Sequence, residues 1–411
     1  MEKIQKFLLP DGIKESIFKY RFKDFLKSID KPFSGNVYDR LEQALVTDQF
    51  LGLFEKFVID EISNGKNRQV YWCDFSIETL AILGEIDKIR GKLKENKYKS
   101  EDFNDLLSLE DFDNGDLVYL EIKENDSGEA PDKISLAFME KYDIISEGDE
   151  GPLLQRIYDY VWIDIYPAQQ YLQIKSRPYS NQYFANLHES NRVFQFYHNL
   201  MKKIFNISYL NMEESKGVLY NIFKVLTDRA EASYCKEVEE IKDQVYDKTK
   251  ELASLLNISD ISHPVDMPNR ISRLLERVLI LEDIDNYMSY DPDKLGIVDR
   301  IDFSDQSGAK VNALSQEEGI EIADIYFDTR ETLDELKQLN KLWIRWFMRT
   351  TNGSEDETTS KIEQIETRIE VYADRILIIF LGVQSVPKEV QYYVLSKIKK
   401  FKEGENSGLL D

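Results

Sequence analysis

The segment Tyr158-Asp159-Tyr160-Val161-Trp162-Ile163-Asp164-Ile165-Tyr166, followed after Pro167-Ala168-Gln169-Gln170 by Tyr171-Leu172-Gln173-Ile174-Lys175-Ser176-Arg177, constrains the fold more than any other. Two runs rich in β-branched and aromatic residues flank a short turn, which is the pattern of an antiparallel hairpin. A turn centred on Ala168-Gln169 sets Asp164 opposite Gln173 and Trp162 opposite Lys175. Side chains alternate along a strand, so Trp162, Asp164, Tyr166, Tyr171, Gln173 and Lys175 share one face. Val161, Ile163, Ile165, Leu172 and Ile174 share the other, which is the core face. The polar face is expected to be solvated.

Apolar periodicity predicts helices over residues 37–62, 76–96, 181–205, 213–256 (two helices or one bent one), 268–281, 329–348 and 386–402. Strands are expected over 69–75, 117–123, 297–303, 310–314, 322–327, 365–372 and 375–381. Segments 125–132, 146–152 and 350–360 are polar or rich in Gly and Pro, and read as linkers. The expectation is an α+β, multi-domain chain in which helices mix with short antiparallel hairpins and no regular βαβ alternation occurs. A length of 411 residues suggests about two to three domains. The divisions expected are an N-terminal mixed α/β domain over 1–150, a hairpin followed by long helices over 151–262, and a C-terminal α+β domain over 263–411 with its polar loop at 350–360.

Composition excludes several classes. An aromatic content of 12% is too high for a chain disordered throughout. Cys73 and Cys235 are the only cysteines, too few for a disulfide scaffold and in keeping with a reducing compartment. The most apolar run, 376–381, falls far short of the ~18 residues of a membrane helix. Pro10 and Asp11 interrupt the apolar stretch a signal peptide needs. A cytoplasmic protein with no membrane partner is therefore expected. Lys and Arg total 53 against 76 Asp and Glu, a net charge of −23 that opposes nonspecific attraction to nucleic acid or anionic lipid. Taken alone the acidity reads as solubility, and it leaves room for a local basic groove.

No phosphate-cradling glycine loop, HExxH, CxxC or GxSxG motif occurs. A His/Cys zinc site would consume nearly all of His188, His198, His263 and the two cysteines. What remains is Asp164 followed by Gln173-Ile174-Lys175, which resembles the core of the PD-(D/E)xK nuclease superfamily in its Gln variant. The resemblance covers about fifteen residues. It implies a catalytic set of Asp164, Gln173 and Lys175, with Asp164 and Gln173 helping to hold Mg²⁺ and Lys175 positioning the attacking water. Mg²⁺ wants hard oxygen ligands, and one carboxylate is thin for it. A further acid is needed, and Glu189 is the nearest candidate in sequence, giving Asp164 and Glu189 as the metal pair. A second match, Glu121-Ile122-Lys123, would draw on Asp111 or Asp113, because Asp116 lies too close to Glu121. The plain alternative for either match is a polar strand face without chemistry.

Cations and aromatics interleave at Lys14, Lys19, Arg21, Lys23 and Lys27 with Phe18, Tyr20, Phe22 and Phe25. Arg177, Lys202, Lys203, Arg270, Arg273 and Arg277 are candidate nucleic-acid contacts, and Lys397, Lys399, Lys400 and Lys402 mark a basic C-terminal helix. Such residues also serve as lysines lying over an aromatic core. Helix 235–256 carries Val238, Ile241, Val245, Leu252 and Leu255 in a seven-residue rhythm broken at Lys248, suited to a partner helix or a sister chain. The expected function is a nucleic-acid-linked accessory protein of a bacterial defence system or mobile element, with an intact or degenerate Mg²⁺-dependent nuclease hairpin. The alternatives are a non-catalytic protein-interaction scaffold or an acidic decoy that binds a basic protein. Enzyme activity is left open among these readings.

Overall fold

The computed structural model describes residues 7–29, 34–46, 48–126, 128, 130–148, 151–178, 190–263, 265–283, 294–305, 307–315, 319–320, 324–351 and 360–404. Helices and antiparallel strands are mixed in an α+β arrangement. The strands are β1 (Gln69–Asp74), β2 (Phe103–Asn104), β3 (Leu117–Glu124), β4 (Pro131–Gly148), β5 (Gly151–Tyr166), β6 (Tyr171–Ser176), β7 (Gly296–Ser304), β8 (Lys310–Leu314), β9 (Lys341–Thr351), β10 (Ser360–Tyr372) and β11 (Arg375–Phe380). The chain divides into two compact units, Met1–Glu213 with Glu370–Leu395, and Glu214–Ile369 with Ser396–Asp411. Among the described residues no helix is long and apolar enough to cross a membrane.

These units differ from the divisions expected at 150/151 and 262/263. Gly148 pairs with Gly151, so the first expected boundary is the tip of the β4–β5 hairpin inside one unit. Over its described residues, 146–148 and 151–152, the expected linker is strand for the same reason.

In the first unit the strand order is β2-β3-β4-β5-β6-β1-β11. Both faces of its central strands are covered. On one face Ile134, Leu136, Phe138, Ile163, Ile165, Leu172 and Ile174 pack with Phe194, Tyr197 and Met201 of helix Ser190–Phe205 and Ile89 and Leu93 of helix Ile86–Glu95. On the other, Ala137, Met139, Tyr160 and Trp162 pack with Phe22, Phe25, Leu41, Phe54 and Val58 from the helices over Lys19–Ser28, Val37–Leu45 and Asp48–Asp60. The hairpin face expected to be solvated is thus a second interior. The helix expected over 37–62 is broken: Asn36 caps its first part in a capping box, and a wider π turn, Glu61–Gly65, ends its second.

In the second unit the order is β10-β9-β7-β8. The helix expected over 329–348 ends at Leu336, and 341–351 is β9. Leu342, Ile344, Trp346 and Met348 are buried in a strict period of two, which a strand satisfies and a helix does not. The strand expected at 322–327 is replaced over its described part by the start of helix Asp324–Leu336. Gly296 makes the tight β7–β9 approach possible, since a Cβ there would lie 2.5 Å from the Arg345 carbonyl oxygen. The helical stretch 213–256 resolves into Ser215–Glu240 and Lys242–Leu255.

Candidate nucleic-acid interface

The β5–β6 hairpin forms in the expected register: Asp164 pairs with Gln173, and Trp162 with Lys175. What surrounds Asp164 is a set of donors. Lys175 Nζ lies 3.0 Å from Oδ2, and Lys133 Nζ lies 2.8 Å from Oδ1. Ser135 Oγ and Trp162 Nε1 each donate to Oδ1 at 2.8 Å. Asp164 is 1% exposed and Lys175 6%. Burial alone would raise the Asp164 carboxyl, but the Lys175 and Lys133 ammoniums and the hydrogen bonds hold it below the ordinary carboxylate range. Burial pushes the Lys175 ammonium down, against the pull of Asp164. Lys175 also reaches Asn64 Oδ1 of the π turn at 3.5 Å. Gln173, on the same rung, is buried beside Trp72, its cross-strand partner on β1.

A Mg²⁺ site needs several oxygens converging on one point. Among the described residues no group of three or more His, Cys, Asp or Glu is placed to hold a metal ion. Glu189 lies outside the described residues. At the second match, Glu121 Oε2 accepts from Tyr119 Oη at 3.1 Å and lies 3.7 Å from Lys123 Nζ, while Asp111 is held by Lys141 at 2.7 Å.

The candidate cations fall in different settings. Lys202 and Lys203 are exposed on the last turn of helix Ser190–Phe205. Arg273 is committed to Glu276 and Asp334, at 3.3 and 3.1 Å. Arg270 and Arg277 hold interactions of their own. In the N-terminal run, Phe22 and Phe25 are core residues and Arg21 is bound to Glu61. Arg177 follows β6 and is half-buried.

A further array, on the outer face of the second unit's strands, was missed by the sequence reading. Along β9, Lys341, Trp343, Arg345, Phe347 and Arg349 alternate with the buried residues. Arg300 of β7 pairs across from Trp343. Its guanidinium lies over the indole at 4.4 Å, and that of Arg368 on β10 approaches the same ring at 5.9 Å. Asn312 of β8 holds Arg300 Nε at 2.7 Å. A bulge between Val298 and Arg300 adds Asp299 to this face, where it grips Arg345 with both oxygens at 2.9 Å. The face is therefore a half-buried platform of planar cations and aromatic rings, with Asp299, Asp302 and Glu366 as interspersed acids. The signal was the alternation Lys-x-Trp-x-Arg-x-Phe-x-Arg, hidden by reading the segment as a helix.

No protein-family model matches the chain, and no curated protein matches it in sequence.

Proposed function

We propose that the protein is a nucleic-acid-binding accessory protein that holds its ligand on the outer face of β9, β7 and β10. The observation that carries this reading is Trp343 flanked by Arg300 and Arg368 on a strand whose outward residues alternate between cations and aromatics. Such a surface offers π faces to bases and charge to phosphates, and it does so locally, whatever the net charge. The reading is one of binding: the expected hairpin chemistry would have to run through a carboxylate already met by four donors. The setting expected from the sequence, a defence system or mobile element, belongs to this proposal unchanged.

The test is fluorescence anisotropy with labelled 20-nucleotide single-stranded DNA, single-stranded RNA and duplex, at low salt. The wild type is expected to bind a single strand with an affinity that falls as salt rises. Trp343→Ala is expected to weaken binding about 5- to 100-fold, the range for loss of one stacking ring. Arg300→Gln is expected to act in the same direction. Absence of binding by the wild type, or full binding by both variants, would overturn the reading.

A second reading is self-association, favoured by one surface. Helix Lys242–Leu255 turns Val245, Thr249 and Ala253 inward. Leu252, Leu255 and Leu256 are 57%, 75% and 72% exposed. The seven-residue rhythm is thus split between two sides of the helix. The exposed leucines form an apolar stripe that the same segment of a second copy would cover, with Asp247, Lys248, Lys250 and Glu251 at its edges. Sedimentation equilibrium is expected to give a dimer mass that Leu255→Lys returns to the monomer. A monomer at all concentrations would exclude it.

A further inference from the structure

We propose that Lys66, Arg68 and Arg177 form a binding site for a phosphate group at the end of the β1–β6 ladder. Gln69 pairs with Ser176 at the last rung, so Arg68 and Arg177 stand at the next cross-strand position, on one face. Lys66 joins them through a tight turn in which the Arg68 N–H donates to the Lys66 carbonyl at 2.9 Å. The heads of two of these side chains are fixed by neutral groups. Lys66 Nζ donates to the Glu15 carbonyl and lies 4.6 Å from the Phe18 ring centroid, and Arg68 Nη1 donates to the Val383 carbonyl at 2.5 Å.

No carboxylate among the described residues lies within ion-pair distance of any of the three. In a chain with 76 acids and 53 Lys and Arg, such a gathering is costly and calls for an anion. The cost registers in the charges themselves. Burial first, then the like charge of Arg177, pushes the Lys66 ammonium down to about 8, against Asp159 and Glu15. Burial and Arg177 also lower the Arg68 guanidinium. Burial holds the three cations at part of their exposure, where a bound oxyanion is less screened than at an open surface. Two guanidiniums and one ammonium match the oxygens of a phosphate. The site shares no residue with the sheet face of β9, so it stands or falls separately from the nucleic-acid reading.

The experiment is isothermal titration of the full chain with inorganic phosphate at low salt. Binding is expected at pH 7, and Arg177→Gln is expected to weaken it about tenfold or more, the loss of one charge-assisted bond. Arg177 makes no hydrogen bond that the fold relies on among the described residues, and circular dichroism checks that the variant is folded. Lys66→Gln is the second variant, with the same expectation. Sulfate, whose charge is constant near neutrality, reads the pH dependence. Lys66 is charged below about 8 and loses its proton above it, so sulfate affinity is expected to fall as pH rises through 8 in the wild type. The charged groups facing Lys66 are Arg177, Asp159 and Glu15. In Lys66→Gln the fall is expected to vanish. An oligonucleotide that displaces phosphate would name the backbone as its source, and one that does not would name a free phosphate compound; both uphold the site. No phosphate binding by the wild type, or equal binding by the wild type and both variants, overturns it.

Discussion

Asp164→Ala is expected to lower the folding stability of the first unit by about 3–5 kcal/mol, the usual cost of removing one partner from a buried ion pair. The substitution leaves Lys175 buried beside Lys133 with no carboxylate between them, and leaves the Trp162 and Ser135 donors without their shared acceptor. Urea unfolding with hydrogen exchange read at β5 and β6 measures the loss. The double variant Asp164→Leu/Lys175→Met is expected to lose less than Asp164→Ala, because an apolar pair of similar volume removes both desolvation penalties. The pH dependence has a definite sign. The folded-state value of Asp164 is depressed, so its contribution is full above the unfolded value of about 4 and is lost as pH falls below it. A variant of unchanged stability that has lost a Mg²⁺-dependent cleavage present in the wild type would return Asp164 to the metal role implied by the nuclease resemblance.

An effect of similar size is expected at Glu231→Ala in the second unit. Glu231 is fully buried on helix Ser215–Glu240, where it pairs with Arg330 and accepts from Tyr326 Oη at 2.7 Å. Its removal takes from the Arg330 guanidinium a fully buried carboxylate partner, while Asp334 lies farther off, 3.8 Å from Nε. Asp334 is shared among Tyr220 Oη at 2.8 Å, Arg273 at 3.1 Å and Lys224 at 3.4 Å. The expected cost is about 3–5 kcal/mol. Hydrogen exchange at β7 and β9 reads it, and the protection of β5 and β6 is expected to stay at the wild-type level. Loss below about 0.5 kcal/mol would mean that Arg330 finds water or another acid at little cost.

Local patterning went far on register, which strand alternation and turn length set between neighbouring segments. The β5–β6 register followed from alternation and turn length, down to the partners of Asp164 and Lys175. It failed where a strand is covered on both faces. In β4, Ile134, Leu136 and Phe138 enter one core while Ala137 and Met139 enter the other, so the alternation that marks a half-buried strand is blurred. The same cause hid the burial of Asp164: its cover comes from helices more than 100 residues upstream, beyond any local spacing. In β9 the alternation is present, but it begins inside the segment 329–348 where a helix is expected. The three cations at the end of β1 and β6 were out of reach for another reason. Lys66 and Arg68 meet Arg177 only because β1 pairs with β6, a contact between segments about 100 residues apart.

The pairing of β1 with β11 sets an order of events during synthesis. β1 is flanked by β6 on one side and β11 on the other, and about 300 residues separate Asp74 from Arg375. On the ribosome, at ~5–20 residues per second, strand β1 emerges on the order of 15–60 s before the partner that closes its second edge. Throughout that interval Val70, Tyr71 and Trp72 present an apolar strand with open N–H and C=O groups, the kind of edge that recruits foreign strands. The whole of Glu214–Ile369 is translated within that wait, so the nascent chain carries one unfinished sheet while a second unit is being made.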